Sequence, residues 1–353
     1  LTYFKMHKLF MKYFLKEVLF LIIFLTSFFS SHAQVYGCPD PVANNYNDSV
    51  TVNDGSCIYA QASITPKLKY NLNNTISESS GLLWWNKLIW THNDSGGQPQ
   101  LYGLDSSTGN IAKTVTITNA SNVDWEDIAQ DDKYIYIGDF GNNANGNRTN
   151  LKIYCIKKSG IKKKDSLTAT VIHFSYSDQT DFSPAGSNNT NFDCEAMIAY
   201  GDSLFLFSKD WKDGQTRLYK LPKVPGTYVA QKTGELNVDG LITGAEIISD
   251  KRVIVLTGYS TTVTPFIYLL YDFSNNNFFS ANKRKIQINE SFTQVEGICA
   301  LNNNNFYISN EKFQKIFNVP AKLQTINLSS FLKPYYSKIS KTIIPAFAFI
   351  SNF

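Results

Sequence analysis

Glutamates recur at the head of similar short apolar runs along this chain: Glu78 in Glu-Ser-Ser-Gly-Leu, Glu126 in Asp-Trp-Glu-Asp-Ile, Glu195 in Cys-Glu-Ala-Met-Ile, Glu246 in Ala-Glu-Ile-Ile and Glu296 in Val-Glu-Gly-Ile. The intervals are 48, 69, 51 and 50 residues. A second polar group follows each of them at Asp94, Asp139, Asp210, Tyr259 and Glu311. If the chain doubles back in between, each pair returns to one end of a layered structure and the acids collect there. Crowded carboxylates in a dry channel must each gain a hydrogen-bond donor, a cation or a proton. Three chemistries follow. Oxygen-only donors such as Asp94, Glu126, Asp127 and Asp139 suit calcium. Paired carboxylates can act as general acid and base on a glycoside or phosphoester. Acids beside Trp125, Phe140, Trp211 and Tyr259 can bind a glycan or peptide.

A residue repeated in every unit is better suited to tying neighbouring units together than to catalysis, because buried polar groups must be paired. On that reading Glu78, Glu126, Glu195, Glu246 and Glu296 are structural. The ligand-binding candidates are then the unrepeated residues Asp127, Asp139, Asn143, Arg148, Asp193, Lys209 and Asp210, with His92 and Asp94 beside them. The sequence has no Gly-x-Ser-x-Gly, no His-x-x-x-His and no phosphate loop. A Ser-His-Asp triad through His92 is a minor alternative.

Residues 34–60 form a second polar region. Cys38 and Cys57 bracket it and are expected to pair, while Asp40, Asn45, Asn47, Asp48 and Asp54 offer hard oxygens for a metal. The same side chains suit Asx-turns, the reading favoured here because no Asp-x-Asp-x-Asp-Gly loop is present. Cys155, Cys194 and Cys299 lie in apolar runs and are expected to be buried thiols.

The elements that must position these groups are strands. From residue 62 the chain is strand, turn, strand, rich in Tyr, Phe, Ile, Val and Thr, with no sustained helical period. A third strand recurs as Leu101-Tyr102-Gly103, Ile153-Tyr154-Cys155, Leu218-Tyr219-Lys220, Ile267-Tyr268-Leu269 and Ile316-Phe317-Asn318. A repeat of about 50 residues indicates a propeller or solenoid. The expected fold is all-β, a five-bladed β-propeller over residues 62–332, with six blades as the alternative because the second unit is long. Residues 66–72 read as an orphan fourth strand that closes the blade begun at Glu296, leaving no open sheet edge. Residues 323–328 could take that place instead, or pair beside it.

Residues 1–33 read as a cleaved signal peptide: lysines, an apolar run at residues 18–29, then Ser31-His32-Ala33. That run is shorter than the ~20 residues a span needs, so no integral membrane span is expected after its removal. Met6 or Met11 is the expected start. The formal charge is +4. Without Lys5, Lys8, Lys12, Lys16 and Glu17 the balance is 29 basic to 28 acidic residues, which gives no electrostatic reason for a nucleic-acid partner. Residues 333–353 form a tail of unassigned structure.

The Gly-Cys-x-Asp-Pro and Asp-Gly-Ser-Cys segments at residues 37–57 resemble a short repeat of secreted and surface proteins of Bacteroidota. The blade pattern over residues 62–330 resembles secreted propellers of that phylum and, more distantly, phytase-like and SdiA-regulated propellers. With the leader and the acidic face, the resemblance points to a secreted or outer-surface protein, expected to be monomeric. It would bind an extracellular glycan, peptide or phosphoester on an acidic loop face, with calcium as the cofactor. The alternative is a calcium-dependent phosphoester or glycoside hydrolase. In phytase-like propellers calcium faces phosphate beside a basic cluster, which is thin here: Arg148, Lys209 and Lys212.

Overall fold

The structure, a computed structural model, describes residues 6–7, 10–18, 34–314 and 318–348. The expected apolar run and cleavage site of the leader lie outside the described residues, save Val18. Among the described residues no helix is long and apolar enough to cross a membrane.

Aromatic and β-branched runs separated by Asn, Asp and Gly turns fold as antiparallel strands, and they assemble into four-stranded blades. The first blade is Ser79–Trp85, Leu88–Asn93, Gln100–Asp105 and Ile111–Ile117. The second is Trp125–Gln130, Tyr134–Asp139, Lys152–Lys157 and Thr170–Tyr176. The third is Cys194–Tyr200, Ser203–Ser208, Gln215–Pro222 and Gly226–Asn237. The fourth is Leu241–Ile248, Val253–Tyr259, Pro265–Tyr271 and Asn282–Ile288. The fifth combines Val295–Ala300, Asn305–Asn310 and Lys322–Asn327 with Lys67–Asn71 from the other end of the chain. The five inner strands touch in cyclic order, the last against the first, so the ring is closed. This is a five-bladed β-propeller.

The core is a set of apolar layers between adjacent blades. Leu101, Trp125, Ile137 and Tyr154 fill the first interface, for example, and Phe205, Phe207, Ile254 and Phe278 the third. Each buried Leu, Ile or Phe contributes about 1.5–3 kcal/mol. The recurring third-strand aromatics Tyr102, Tyr154, Tyr219 and Tyr268 all sit in these layers.

The fifth unit departs from the expected third strand. Lys322–Asn327 takes that place, while Phe313–Gln314 and Asn318–Val319 pair as a small hairpin, with residues 315–317 outside the described set. Leu323 and Ile326 are buried in the two flanking blade interfaces. Lys67–Asn71 pairs outside it, so the two candidate closing segments lie side by side. The length of the second unit goes into the helix Lys158–Ile161 and the strand Ser166–Leu167, which adds in parallel to the first blade. Thr170–Tyr176 and Gly226–Asn237 also pair in parallel, joining the second and third blades into one eight-stranded sheet.

Cys38 and Cys57 are disulfide-bonded, and Cys155, Cys194 and Cys299 are buried free thiols. The disulfide segment is fastened to the fourth blade: Asp40 Oδ2 accepts hydrogen bonds from Tyr59 (2.8 Å) and Tyr271 (2.5 Å). The C-terminal tail forms the helix Ser329–Ala348. Its Leu332 and Tyr335 pack on Val253 and Tyr271.

Candidate metal and ligand site

Every inner strand carries a β-bulge near its first residues, where two residues oppose one on the neighbouring strand. The register shifts lie between Ser80 and Leu83, Cys194 and Ala196, Ile242 and Gly244, and Val295 and Gly297. In the second blade the shift falls opposite Gly138, between Trp125 and Ile128. A bulge re-aims the extra side chain out of the alternating pattern. Glu126, Glu195 and Glu296 lie in these bulges, each no more than 4% exposed. Thr243 holds the place in the fourth blade. Glu78 and Glu246 are each displaced by three residues from the bulges of their blades. Glu78 is exposed. Glu246 is half-buried and accepts from the N–H of Ile247 (2.8 Å) and, across the blade interface, of Ala300 (2.9 Å).

The roles expected of Glu126 and Asp127 are exchanged. Asp127 is the tie between blades: Oδ1 accepts from Ile128 N (2.8 Å) and Oδ2 from Met197 N of the third blade (2.7 Å). Glu126 instead faces a cavity of ≈ 240 Å³ at the channel mouth, and its buried Oε1 has no hydrogen-bond partner among the described residues. Asp94, Glu195, Lys209, Glu296 and Glu311 line the same cavity. Trp211 and Tyr259 flank Lys209, whose Nζ lies 4.9 and 5.1 Å from their ring centres. Two groups of acids come close enough to share an ion: Asp94, Asp124 and Glu126, and Glu126, Asp193 and Glu195, with one oxygen of each residue within 4.8 Å of the others.

The acids differ in what they already hold. Lys209 is ion-paired with Glu195. Asp193 accepts from Asn142 N (2.6 Å) and Trp211 Nε1 (2.8 Å). Among the described residues the Asp94 carboxylate accepts only from its neighbour Ser95 (2.5 Å). Burial, then the charge of Asp94, pushes the Glu126 carboxyl well above its usual range. Burial followed by Asp124 raises Asp94 to about 7. Burial raises both Glu296 and Glu311 to about 8. For Lys209 burial acts downward, but the facing carboxylates, Glu195 foremost, outweigh it and hold the ammonium charged.

Other candidates are drawn away from the mouth. Asp139 is buried against Arg148 (2.7 Å) and Lys152 (3.8 Å), and Arg148 also donates to Gly141 O. Asp210 is ion-paired with Arg217. His92 is fully buried edge-on to Trp125, and burial lowers it to about 4, so it is neutral. No serine is bonded to its ring among the described residues, so the triad has no nucleophile. Asn143 does line the cavity.

The metal ligands expected in the disulfide segment are taken by local bonds. Asn45 bridges Ser56 O and Ile58 N, Asn47 Oδ1 accepts from Ser49, and Asp54 Oδ1 accepts from Ser56 N. Asp40 Oδ1 accepts from Val42 N while Oδ2 takes the two tyrosines. Asp48 is exposed. Asp40, Asn47 and Asp54 each accept from the N–H two residues on, as in Asx-turns.

Asp124, Gln294 and Asn188 belong to the site and were not singled out by the sequence. A signal for Asp124 exists: Asp-x-Glu occurs at Asp124-Trp125-Glu126 and again at Asp193-Cys194-Glu195. It places a second acid two residues before the bulge.

No family model matches the sequence, and no curated protein sequence matches it. Solved structures do match. An α-L-arabinofuranosidase of Podospora anserina, solved with cellotriose, aligns over 76% of this chain and 96% of that one, at 13% identity and TM-score 0.45. The β-propeller domain of Cps50 (Swd1) from Myceliophteria thermophila aligns over 69% and 86%, at 9% identity and TM-score 0.33. A chain of the mitotic checkpoint complex aligns over 68% of this chain, at 12% identity and TM-score 0.32, and the match spans 60% of that chain.

Proposed function

We propose that this chain is an exported β-propeller that binds an extracellular glycan at its acidic mouth, with calcium held by Asp94, Asp124 and Glu126. The observation that carries the reading is the buried Glu126 Oε1, which has no partner and faces other carboxylates. A cation supplies what no donor there does, and oxygen-only ligands select a hard one. Gly141 supports the fit: a methyl group there would lie 2.0 Å from Glu126 Oε1 and 2.5 Å from Asp124 Oδ2, so glycine lets the chain close on both acids. Asn143, Asn188 and Gln294 offer amides around the rim and Trp211 a flat ring, which together suit sugar hydroxyls and a pyranose face. The disulfide fits an oxidising compartment outside the cell.

Calorimetric titration of calcium into chelator-treated protein tests this. Binding is expected, and Glu126→Gln and Gly141→Ala are expected to abolish it. Absence of binding to the parent protein rejects the metal. Addition of cello- and arabino-oligosaccharides with and without calcium then tests the glycan.

A second reading, hydrolysis, has one observation in its favour. Glu296 and Glu311, raised to about 8, are protonated at neutral pH and line the same cavity as potential general acids. Turnover of nitrophenyl glycosides or phosphates, lost in Glu311→Gln, would establish it. Binding without turnover would reject it.

A further inference from the structure

On the opposite face of the ring the junction of the first and second blades carries the reverse charge. A pocket of ≈ 450 Å³ opens between the first and second blades, walled by Trp85 at the end of one inner strand and by Lys133, Lys157, Lys158 and Lys162. Asp132 is the one acid in that lining. None of the four lysines forms an ion pair among the described residues, whereas the neighbouring Asp131 is neutralised by Lys223 (2.8 Å) and bonded to Tyr136. The half-buried Trp85 ring lies 5.5 Å from Lys158 Nζ and 5.6 Å from Lys162 Nζ, centre to nitrogen.

Lys158 is 8% exposed, which an unpaired ammonium reaches only when its site is built for it. Two of its hydrogens go to Gln130 Oε1 (2.7 Å) and Asp131 O (2.5 Å). An ammonium has three, which leaves one for the pocket that Lys158 lines. The walls thus combine a buried donor, three exposed cations and a flat aromatic face. Lysine is a point-charge partner for oxyanions, and a tryptophan face accepts the apolar side of a ring.

We propose that this pocket is a second binding site, for a sugar ring bearing a sulfate or phosphate group. The oxyanion lies among Lys157, Lys158 and Lys162, and the ring rests on Trp85. Sulfated glycans and phosphorylated sugars share this chemistry.

Calorimetric titration of the full chain with glucose 6-sulfate, glucose 6-phosphate, glucose and inorganic phosphate tests it. At least one ester is expected to bind, more weakly at high salt, and glucose is not. Preference for one ester identifies the source. Trp85→Ala and the double variant Lys157→Gln/Lys162→Gln are each expected to weaken binding about tenfold or more. Lys67→Gln/Lys69→Gln, on the distant closing strand, is expected to leave it unchanged. Thermal melts confirm that each variant is folded. The proposal is overturned if neither ester binds, if the pocket variants bind as tightly as the parent, or if inorganic phosphate binds as tightly as the esters.

Discussion

Two regions of this molecule are rich in acidic and amide oxygens, the disulfide segment and the channel mouth, and they look alike in composition. They differ in donors. In the disulfide segment Asn45, Asn47 and Asp54 each accept from a backbone N–H near their own loop, so each oxygen named has a donor. At the mouth the bulges turn Glu126, Glu195 and Glu296 away from the backbone, and one lysine faces the whole group. An acid beside turn donors is a fold determinant, and an acid aimed where the backbone offers none is available for a ligand.

The sharpest way to break this contrast is to remove the lysine. Lys209→Met leaves Glu195 buried without its partner, and a loss of about 3–5 kcal/mol is expected in urea unfolding at neutral pH. Opening the other region should cost less and act locally. In Cys38→Ser/Cys57→Ser the closed loop, 19 residues in separation, loses about 3 kcal/mol of its own stability. Limited proteolysis should then cut within residues 38–57 while the propeller stays intact. Cleavage throughout the blades would show that the segment is integral to the ring.

The neighbouring pair in the second blade sharpens the contrast at single-residue resolution. Asp127→Asn puts an amide against two N–H donors and is expected to cost about 1–3 kcal/mol. Glu126→Gln is expected to leave stability unchanged or higher in chelator. The pH response follows from the same acids. Glu296 and Glu311 are raised from 4.5 to about 8 by burial, so they favour the folded state in their neutral form. The stability they contribute is fully present below about 4.5 and is lost as pH rises through about 8. Thermal melts in chelator should therefore fall between those values, and calcium should oppose the fall at the upper end. The smallest effect is expected from Asp48→Asn and Asp54→Asn, which should leave any calcium-dependent shift in melting temperature unaltered. A loss of that shift would move the metal to the disulfide segment.

The architecture was largely legible because it rests on local signals repeated five times. Strand alternation, turn residues and the third-strand aromatics marked the blades, and residues 66–72 stood out as a strand lacking its own blade. The site was less legible because it depends on register. Glu78 and Glu246 align with the bulge glutamates to within three residues, yet which residue is extruded is decided by pairing with the next strand. The same limit exchanged Glu126 with Asp127, since adjacent side chains point to opposite faces unless a bulge intervenes. In the fifth unit Ile316-Phe317-Asn318 matched the third-strand pattern, while the segment in place, Lys322–Asn327, has Gln324 where the others carry an aromatic. Pattern alone favours the hairpin, and only the need to fill two flanking interfaces selects the later segment.

The pairing of Lys67–Asn71 with Lys322–Asn327 sets a timetable for the molecule. The outer strand leaves the ribosome more than 250 residues before its partner, which at about 5–20 residues per second is a wait of roughly 10–50 s. Until then the outer strand has no blade to join and the ring cannot close. The ring therefore stays open throughout synthesis, with the edge of its first segment unpaired until that last strand arrives.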